Sequence, residues 1–354
     1  MKIQKIVFKD TGPLSSKSLD FTDSWTGEVA DKVLFSGPNG TGKSIILRAI
    51  AMLWSAAGYW LDTGKPLPQG NQARAWLQKW GGIAIILQDM PFATRPDELI
   101  GLVYGEASWF DDQKRSCPQV NWLGECQADT GMRGRPKHDL HIPRERWVDE
   151  WSRAYKTLIT SFSDSETPNI IYLDAEQRRW VTPKKHVGET ASEDPKQRWL
   201  VAYQATEVWK GQLEASLIAL KTAQLKKYHA VIRDLNRFLQ GKKIEPDIRR
   251  GENRLRVRIE NSGKRWHFLD DLSAGEHQVL ILIYLLIRWL QPGGVVLIDE
   301  PDLYLHPSLV SGLLSELERI ASENHGQLII TSHNPDVWDR YDARDLRVQL
   351  GSDL

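Results

Sequence analysis

The sequence predicts an α/β fold with a mixed sheet. Three observations carry this expectation. The apolar segment Lys32–Ser36 runs into a glycine-rich stretch, GPNGTGKS (Gly37–Ser44), and then into a helical stretch, Ile45–Ala57. A second apolar run, Val295–Ile298, ends in two acids and leads into the helix Pro307–Glu323. A third strand, Gln327–Thr331, follows that helix directly. Strand, helix and strand in that order are the units of a parallel sheet.

The remaining elements follow in chain order. Ile3–Phe8 and Ser18–Thr22 read as short strands around a Gly12–Pro13 turn. After Ile45–Ala57, residues 58–82 read as irregular with a short helix near Ala73–Trp80. Ile83–Leu87 and Leu99–Tyr104 form a strand pair joined by a proline-bearing loop. Glu106–Arg146 is polar, carries Gly and Pro, and reads as loop. A helix is expected over Trp147–Phe162 and a buried strand over Asn169–Asp174. Pro195–Leu239 reads as helical, with Leu225, Tyr228, Ile232, Leu235 and Leu239 forming one apolar stripe. That helical insertion makes a helical hairpin at most and is too short for a long coiled coil. Lys243–Arg250, Arg254–Glu260 and Arg265–Phe268 read as strands of an antiparallel β subdomain, with polar turns at Gly251–Asn253 and Asn261–Gly263. A short strand, Arg347–Leu350, comes last.

Composition narrows the function classes. The chain has 354 residues, room for one large α/β domain or two smaller ones. Lys plus Arg equal Asp plus Glu at 46 each, so no global charge draws it to nucleic acid or to an anionic membrane. Two cysteines, Cys117 and Cys126, argue for a reducing compartment. The N-terminus lacks an apolar signal stretch, and the longest apolar run, near Val279–Ile287, is too short to span a bilayer. A soluble cytoplasmic protein without a membrane segment is expected. Many of the 15 tryptophans, including Trp54, Trp60, Trp76, Trp80, Trp109 and Trp122, lie in segments read as irregular, where such rings pin loops to a core.

The chemistry concentrates in four short stretches. Gly37, Pro38, Asn39, Gly40, Thr41, Gly42, Lys43 and Ser44 fit G-x-x-x-x-G-K-[ST] between a strand and a helix. Such glycines let backbone N–H groups close on phosphate oxygens, and the helix N-terminus adds its dipole. Lys43 then reaches the β- and γ-phosphates, and the Ser44 hydroxyl ligates Mg²⁺. The bland alternative is a turn that merely starts a helix. In Val295–Pro301 the acids stand at the carboxyl end of a buried strand, where α/β sheets hold ligands. Asp299 is expected to hold Mg²⁺, and Glu300 to take a proton from the attacking water. His333 follows the next strand, where it could reach a γ-phosphate or hold the water; a structural hydrogen bond is the alternative. In LSAGEHQ (Leu272–Gln278), Ser273 and Glu276 have capping-box spacing ahead of an apolar helix.

GPNGTGKS, LSAGEHQ, VVLIDEPDLYLHP and TSHNP, in that order, resemble the Walker A, signature, Walker B with D-loop, and histidine-switch motifs of ABC-type ATPases. The likeness is to the non-transporter branch, with RecF, SMC, and the OLD and anti-phage defence ATPases. It covers about Ile3–Met52 and Phe268–Asp336. The resemblance implies a P-loop ABC-type ATPase that binds ATP and Mg²⁺ between two protomers. Ser273 and the Gly275 amide, with Glu276 in the same segment, would face the γ-phosphate held by Gly37–Ser44 of the other copy. Leu303–His306 would lie at the dimer seam. The family also has a glutamine that senses Mg²⁺ and the water. Gln177, in IIYLDAEQRRW, is preferred here; Gln88, in IAIILQDMP, comes earlier than expected. Residues 1–168, 169–243 and 244–354 would be an N-terminal lobe, a linking helical segment and a signature–Walker B lobe of one composite domain.

By that resemblance the chain is an ATP-hydrolysing homodimer that switches a separately encoded effector, a nuclease or toxin, in anti-phage defence. A RecF-like DNA-repair clamp and an ATP-dependent scaffold are the alternatives. A transporter motor fits poorly, because the LHP segment resembles the RecF-like branch. Other clusters are weaker. The spacing of Cys117, Cys126, His138 and His141 fits no common zinc finger. Arg254, Arg256 and Arg258 alternate on one strand face beside Arg249, Arg250, Lys242 and Lys243, which suits either a nucleic-acid backbone or a solvated face that docks an acidic protein. Arg178 and Arg179 could touch phosphate or a partner, with an exposed charge pair as the default reading.

Overall fold

A computed structural model describes all residues except 24, 25, 94, 96, 129–136, 164, 185, 186, 190–192, 261–264, 343–345 and 352–354. From the N-terminus come β1 (Lys2–Lys9), β2 (Ser18–Asp20), β3 (Lys32–Ser36), α1 (Lys43–Thr63), α2 (Gln72–Leu77), β4 (Gly82–Gln88) and β5 (Leu99–Glu106). Next are α3 (Ala107–Ser116), β6 (Val120–Ala128), β7 (Lys137–His141), α4 (Arg146–Thr160), β8 (Ile170–Leu173) and β9 (Leu200–Ala202). Then follow α5 (Leu213–Ala223), α6 (Leu225–Asn236), β10 (Lys242–Ile244), β11 (Arg256–Ile259), β12 (Trp266–Phe268) and α7 (Ala274–Trp289). The last are β13 (Val295–Ile298), α8 (Pro307–Glu323), β14 (Gln327–Thr331), α9 (Pro335–Asp342) and β15 (Arg347–Gln349).

The expected α/β architecture with a mixed sheet is present. One six-stranded sheet, in the order β15-β3-β14-β13-β8-β9, is parallel throughout. Its strands carry near-continuous apolar runs because both faces are covered. In register, Ile298 pairs with Leu173 and Ile330, and Thr331 pairs with Phe35. Gly37, Asp174, Asp299 and Ser332 therefore leave the sheet at one carboxyl edge, where such sheets bind ligands.

A second six-stranded sheet, in the order β2-β1-β4-β5-β6-β7, is antiparallel except for β5 with β6. Helix α1 packs against strands of both sheets. By length and composition α1 could cross a membrane, but 72% of its apolar window is buried inside the fold. Gln327, fully buried, stitches the sheets: its side chain accepts from the Ile3 amide at 2.8 Å and donates to the carbonyls of Ile3 at 3.1 Å and Ala30 at 2.8 Å. The third sheet, β10-β11-β12, is the expected antiparallel subdomain.

Four expectations need correction. The stretch read as loop over 106–146 contains α3, β6 and β7 among its described residues. Glu125 hides the strand from a sequence reading, since it is fully buried inside β6. It is satisfied by partners remote in sequence: the Trp60 indole at 3.2 Å, the Leu67 amide at 2.7 Å and His138 Nδ1 at 2.7 Å. Gly124 serves close strand packing, because a Cβ there would meet the Val103 carbonyl. Pro195–Leu239 is not helical throughout, since Leu200–Ala202 extends the parallel sheet as β9; its helical part is the short packed pair α5 and α6, as a hairpin requires. The stripe on α6 is buried except for Leu225, which is exposed. The strand read over Lys243–Arg250 ends at Ile244, two residues before Pro246. Of the tryptophans read as irregular, Trp54, Trp60, Trp76, Trp109 and Trp122 lie in helices or strands. The turn at Asn261–Gly263 lies outside the described residues. Among the described residues no helix exceeds the 21 residues of α1, so no long coiled coil is formed.

Candidate nucleotide site

The loop Gly37–Ser44 joins β3 to α1 and depends on its glycines. Gly37 has φ 140°, and a Cβ there would stand 2.4 Å from the Leu350 carbonyl oxygen. Gly42 caps α1 at φ 97°, and a Cβ there would meet Leu14 at 2.8 Å. Thr41 donates to the Pro38 carbonyl at 2.9 Å. Lys43 is a buried residue, 6% exposed, and its ammonium donates to the Gly37 and Pro38 carbonyls, each at 2.8 Å. Burial pulls its pKa below the usual value, while Glu300 and Asp299 act to raise it. Lys43 thus lies in the field of both acids. Ser44, in the first turn of α1, is exposed.

The acids leave β13 in a strained turn. Asp299 is nearly buried, and its Oδ1 accepts the Thr331 hydroxyl at 2.6 Å. The same Thr331 oxygen accepts the Glu300 amide at 3.0 Å. Glu300 has φ 48°, a left-handed conformation that side chains of its kind rarely adopt. Burial and then Asp299 hold its carboxyl above the ordinary pKa, with His333 and Lys43 opposing. His333, about a third exposed, places Nε2 3.3 Å from Glu300 Oε1.

Arg178 corrects the expectation of an exposed charge pair. It is fully buried, while Arg179 is exposed. Its Nη1 donates to the carbonyls of Leu173 at 2.9 Å and Asp299 at 2.6 Å, and its Nη2 to that of Glu300 at 2.8 Å. Its Nε donates to Gln278 Oε1 at 3.0 Å, and the Gln278 amide returns a bond to the Arg178 carbonyl. Gln177 sits in the exposed turn just after β8, on the carboxyl edge of the parallel sheet. Gln88 instead ends β4 in the other sheet, paired with Lys2. A third acid, Asp174, follows β8 and accepts the Tyr172 hydroxyl at 2.9 Å.

The stretch Leu272–Gln278 starts α7 with a complete capping box. Glu276 Oε2 accepts from the Ser273 amide at 2.8 Å and the Ser273 hydroxyl at 2.9 Å, and pairs with Lys242 at 2.8 Å. Ser273 and Ala274 are exposed. Gly275 is needed for close approach: a Cβ there would lie 2.8 Å from the Tyr304 carbonyl oxygen. Tyr304 itself has φ 65° and is 67% exposed. Beside it, Asp302 Oδ1 is buried without a partner. His306 caps α8, accepting from the Ser308 amide at 3.3 Å.

Sequence alone does not single out Thr331 or Asp174 as site residues, and it offers Arg178 only together with Arg179. Thr331 stands in the quoted TSHNP motif, so its adjacency to His333 was the available signal. Nothing local distinguishes Arg178 from Arg179.

The donor set fits a nucleoside triphosphate with Mg²⁺. It offers a glycine-shaped turn at a helix N-terminus, one lysine, one hydroxyl and one buried carboxylate. Among the described residues no three His, Cys, Asp or Glu side chains converge on a metal position. Mg²⁺ is ordinarily held by one or two protein ligands together with substrate phosphates, which is the kind of set present here.

The other clusters resolve into internal contacts. Arg254 pairs with Glu214 and Asp270, at 2.5 and 2.7 Å. Arg256 pairs with Glu252 at 2.7 Å and lies over the Trp266 ring. Of the three arginines expected on one face, only Arg258 is exposed. His138 is held between Glu125 and the Arg74 guanidinium, 2.9 Å from its Nε2. A guanidinium only donates, so Nε2 accepts and the proton sits on Nδ1. Cys117 and Cys126 are free thiols packed against a small apolar cluster, and His141 stacks edge-on to Phe110.

Comparison with known proteins places residues 139–339, over half of the chain, in the family described as "AAA domain, putative AbiEii toxin, Type IV TA system". The chain belongs to that family. It is 31% identical over 96 residues to "Protein ea59" of Escherichia phage lambda, a match covering 26% of this chain and 18% of that protein. It is 36% identical over 86 residues to the "Retron Ec83 probable ATPase" of Escherichia coli, covering 21% of this chain and 16% of that one. The matched region thus spans less than a fifth of either relative. Among solved structures, an SMC head bound to the C-terminal winged-helix domain of ScpA is similar at TM-score 0.48 and 14% identity, over 95% of this chain and 91% of that chain. The SMC head domain from Thermotoga maritima gives TM-score 0.42 at 15% identity, over 99% and 94%.

Proposed function

We propose, from its membership of this ATPase family, that the chain binds ATP with Mg²⁺ on Gly37–Ser44 and hydrolyses it. The observation that carries the reading is the convergence of four side chains on one sheet edge. Lys43 feels both Asp299 and Glu300, and His333 lies 3.3 Å from Glu300. Glu300 acts as the base that takes a proton from water, and the burial that raises its pKa strengthens it as a base once ionised. Lys43 and the loop amides balance the charge of the terminal phosphates. Asp299, Ser44 and Gln177 would hold Mg²⁺, which would supply positive charge against the phosphates. His333 holds the Glu300 carboxylate and the water in line.

The active unit is a homodimer closed by ATP. Ser273 and the Gly275 amide of one copy meet the nucleotide on the other, with Glu276 fixing the cap behind them. Exposed Ser273 and the 67% exposed Tyr304, which stands against Gly275, support this, since both present surface on the face that a second copy would meet. Residues 1–168, 169–243 and 244–354 act as parts of one composite domain. Closure and hydrolysis control a separately encoded effector, a nuclease or toxin, in anti-phage defence in the cytoplasm; the retron ATPase relative supports that setting.

The test is Mg²⁺-dependent ATP turnover, with the mass of the particle measured with and without ATP. Wild type should hydrolyse ATP, Lys43→Ala should neither bind nor hydrolyse it, and Glu300→Gln should accumulate an ATP-bound dimer. Turnover by Lys43→Ala at the wild-type rate would remove the reading.

A further inference from the structure

We propose that Arg178 is a positioning residue that makes the Asp299–Glu300 turn and the start of α7 behave as one rigid unit. The inference rests on the hydrolysis reading for its catalytic consequence and on geometry alone for the coupling.

Arg178 is 0% exposed, and its four side-chain hydrogen bonds go to three backbone carbonyls and one amide, none to a carboxylate. Burial brings the guanidinium down to about 10, still charged at neutral pH. A buried charge of this kind is tolerated only when its donors are satisfied, so its partners are held firmly. Those partners are the carbonyls that follow from β8 and β13, including both peptide units of the acid pair. The Glu300 backbone is left-handed at φ 48°, a conformation that persists only where its surroundings impose it. Arg178 Nη2 on the Glu300 carbonyl and Thr331 on the Glu300 amide impose it from two sides.

The fourth bond reaches the other half of the machinery. Gln278 lies on α7, one turn after Gly275, and exchanges two hydrogen bonds with Arg178. The residue before it packs beside the same link, since His277 stacks on Trp180 with ring centroids 4.4 Å apart and bonds the Leu269 carbonyl at 2.7 Å. Displacement of the acids therefore shifts the helix start that a second copy would meet. The nucleotide held by one chain and the segment it presents to its partner are joined by one guanidinium.

Three variants separate the roles. Arg178→Lys keeps the charge but has no fork to span three carbonyls. Gln278→Leu keeps every carbonyl bond and removes only the link to α7. The double variant tests whether they act as one. Expected is a loss of about 100-fold in kcat for each single variant, with KM for ATP within about twofold of wild type, as befits misplaced groups with intact binding. The double variant should be no slower than the worse single one. Hydrogen exchange of the nucleotide-free protein reads the coupling without turnover. Arg178→Lys should speed exchange in residues 299–303 and 273–279 together, and Gln278→Leu should speed it in both segments less strongly. If exchange rises in one segment only, or if either single variant turns over like wild type, the coupling is overturned. Wild type that fails to hydrolyse ATP would instead remove the hydrolysis reading, and the exchange result would still decide the coupling.

Discussion

The Nε2 of His333 lies 3.3 Å from Oε1 of Glu300, across the gap between two adjacent parallel strands. This pairing sets the first expectation. Glu300→Gln should lower ATP turnover by about 10²- to 10⁴-fold while ATP stays bound, as for loss of a general base. His333→Ala should cost less, since it holds the carboxylate and takes no proton. Single-turnover kinetics with retained nucleotide measured by filter binding distinguishes the two.

The same carboxyl makes a stability prediction. Burial, then Asp299, raise its pKa in the folded chain. A raised folded pKa means stability that is complete below the unfolded value and lost as pH rises through the folded value. At neutral pH the ionised Glu300 therefore weakens the fold. Nucleotide-free Glu300→Gln should melt higher than wild type at neutral pH, and the difference should vanish as pH falls to about 4, near the ordinary glutamate value. A difference that grew on acidification would contradict the sign.

Thr331 donates to Asp299 and accepts from the Glu300 amide. Thr331→Val keeps the shape and strands both groups in a buried place. Each should cost about 1–3 kcal/mol of stability. Turnover should drop as well, and Thr331→Ser should restore most of it. Urea unfolding beside steady-state kinetics provides the check, and a neutral valine variant would show that the hydroxyl holds nothing.

Ser273 has two jobs that variants can split. Ser273→Ala removes the cap of α7 and should cost about 1 kcal/mol of stability. Ser273→Arg should abolish hydrolysis by blocking the second copy, yet leave ATP binding to the monomer intact. Binding measured by calorimetry alongside the mass of the particle would reveal the split. Full hydrolysis by the arginine variant would show that no second chain meets this segment.

Gln327 is the seam between the sheets. Gln327→Leu leaves the Ile3 amide and the carbonyls of Ile3 and Ala30 without partners, at about 1–3 kcal/mol for each stranded group that water cannot reach. A loss confined to a few tenths, measured by urea unfolding, would mean that the sheets are joined by packing alone.

The glycine-rich loop Gly37–Ser44, the two acids, the capped start of α7 and the strands that carry them were legible in the sequence. Each depends on contiguous residues: glycines for a left-handed turn, a hydroxyl three residues before a glutamate, apolar runs broken by charge. Residues 106–146 were not legible. Their strands hold Glu125 and His138 inside the fold, and only Trp60, Leu67 and Arg74, far along the chain, make those polar groups affordable.

By itself, then, the sequence determined the glycine-shaped turn at the start of α1, the acid pair after β13 and the cap of α7, because backbone geometry and short spacings are local properties. Only the tertiary structure decided that Arg178 is buried while Arg179 is not, that Gln177 and not Gln88 lies on the parallel edge, and that most of the basic cluster is spent on internal pairs. Those outcomes depend on carbonyls and carboxylates brought together from distant parts of the chain, and a buried charge is stable only where such partners meet it.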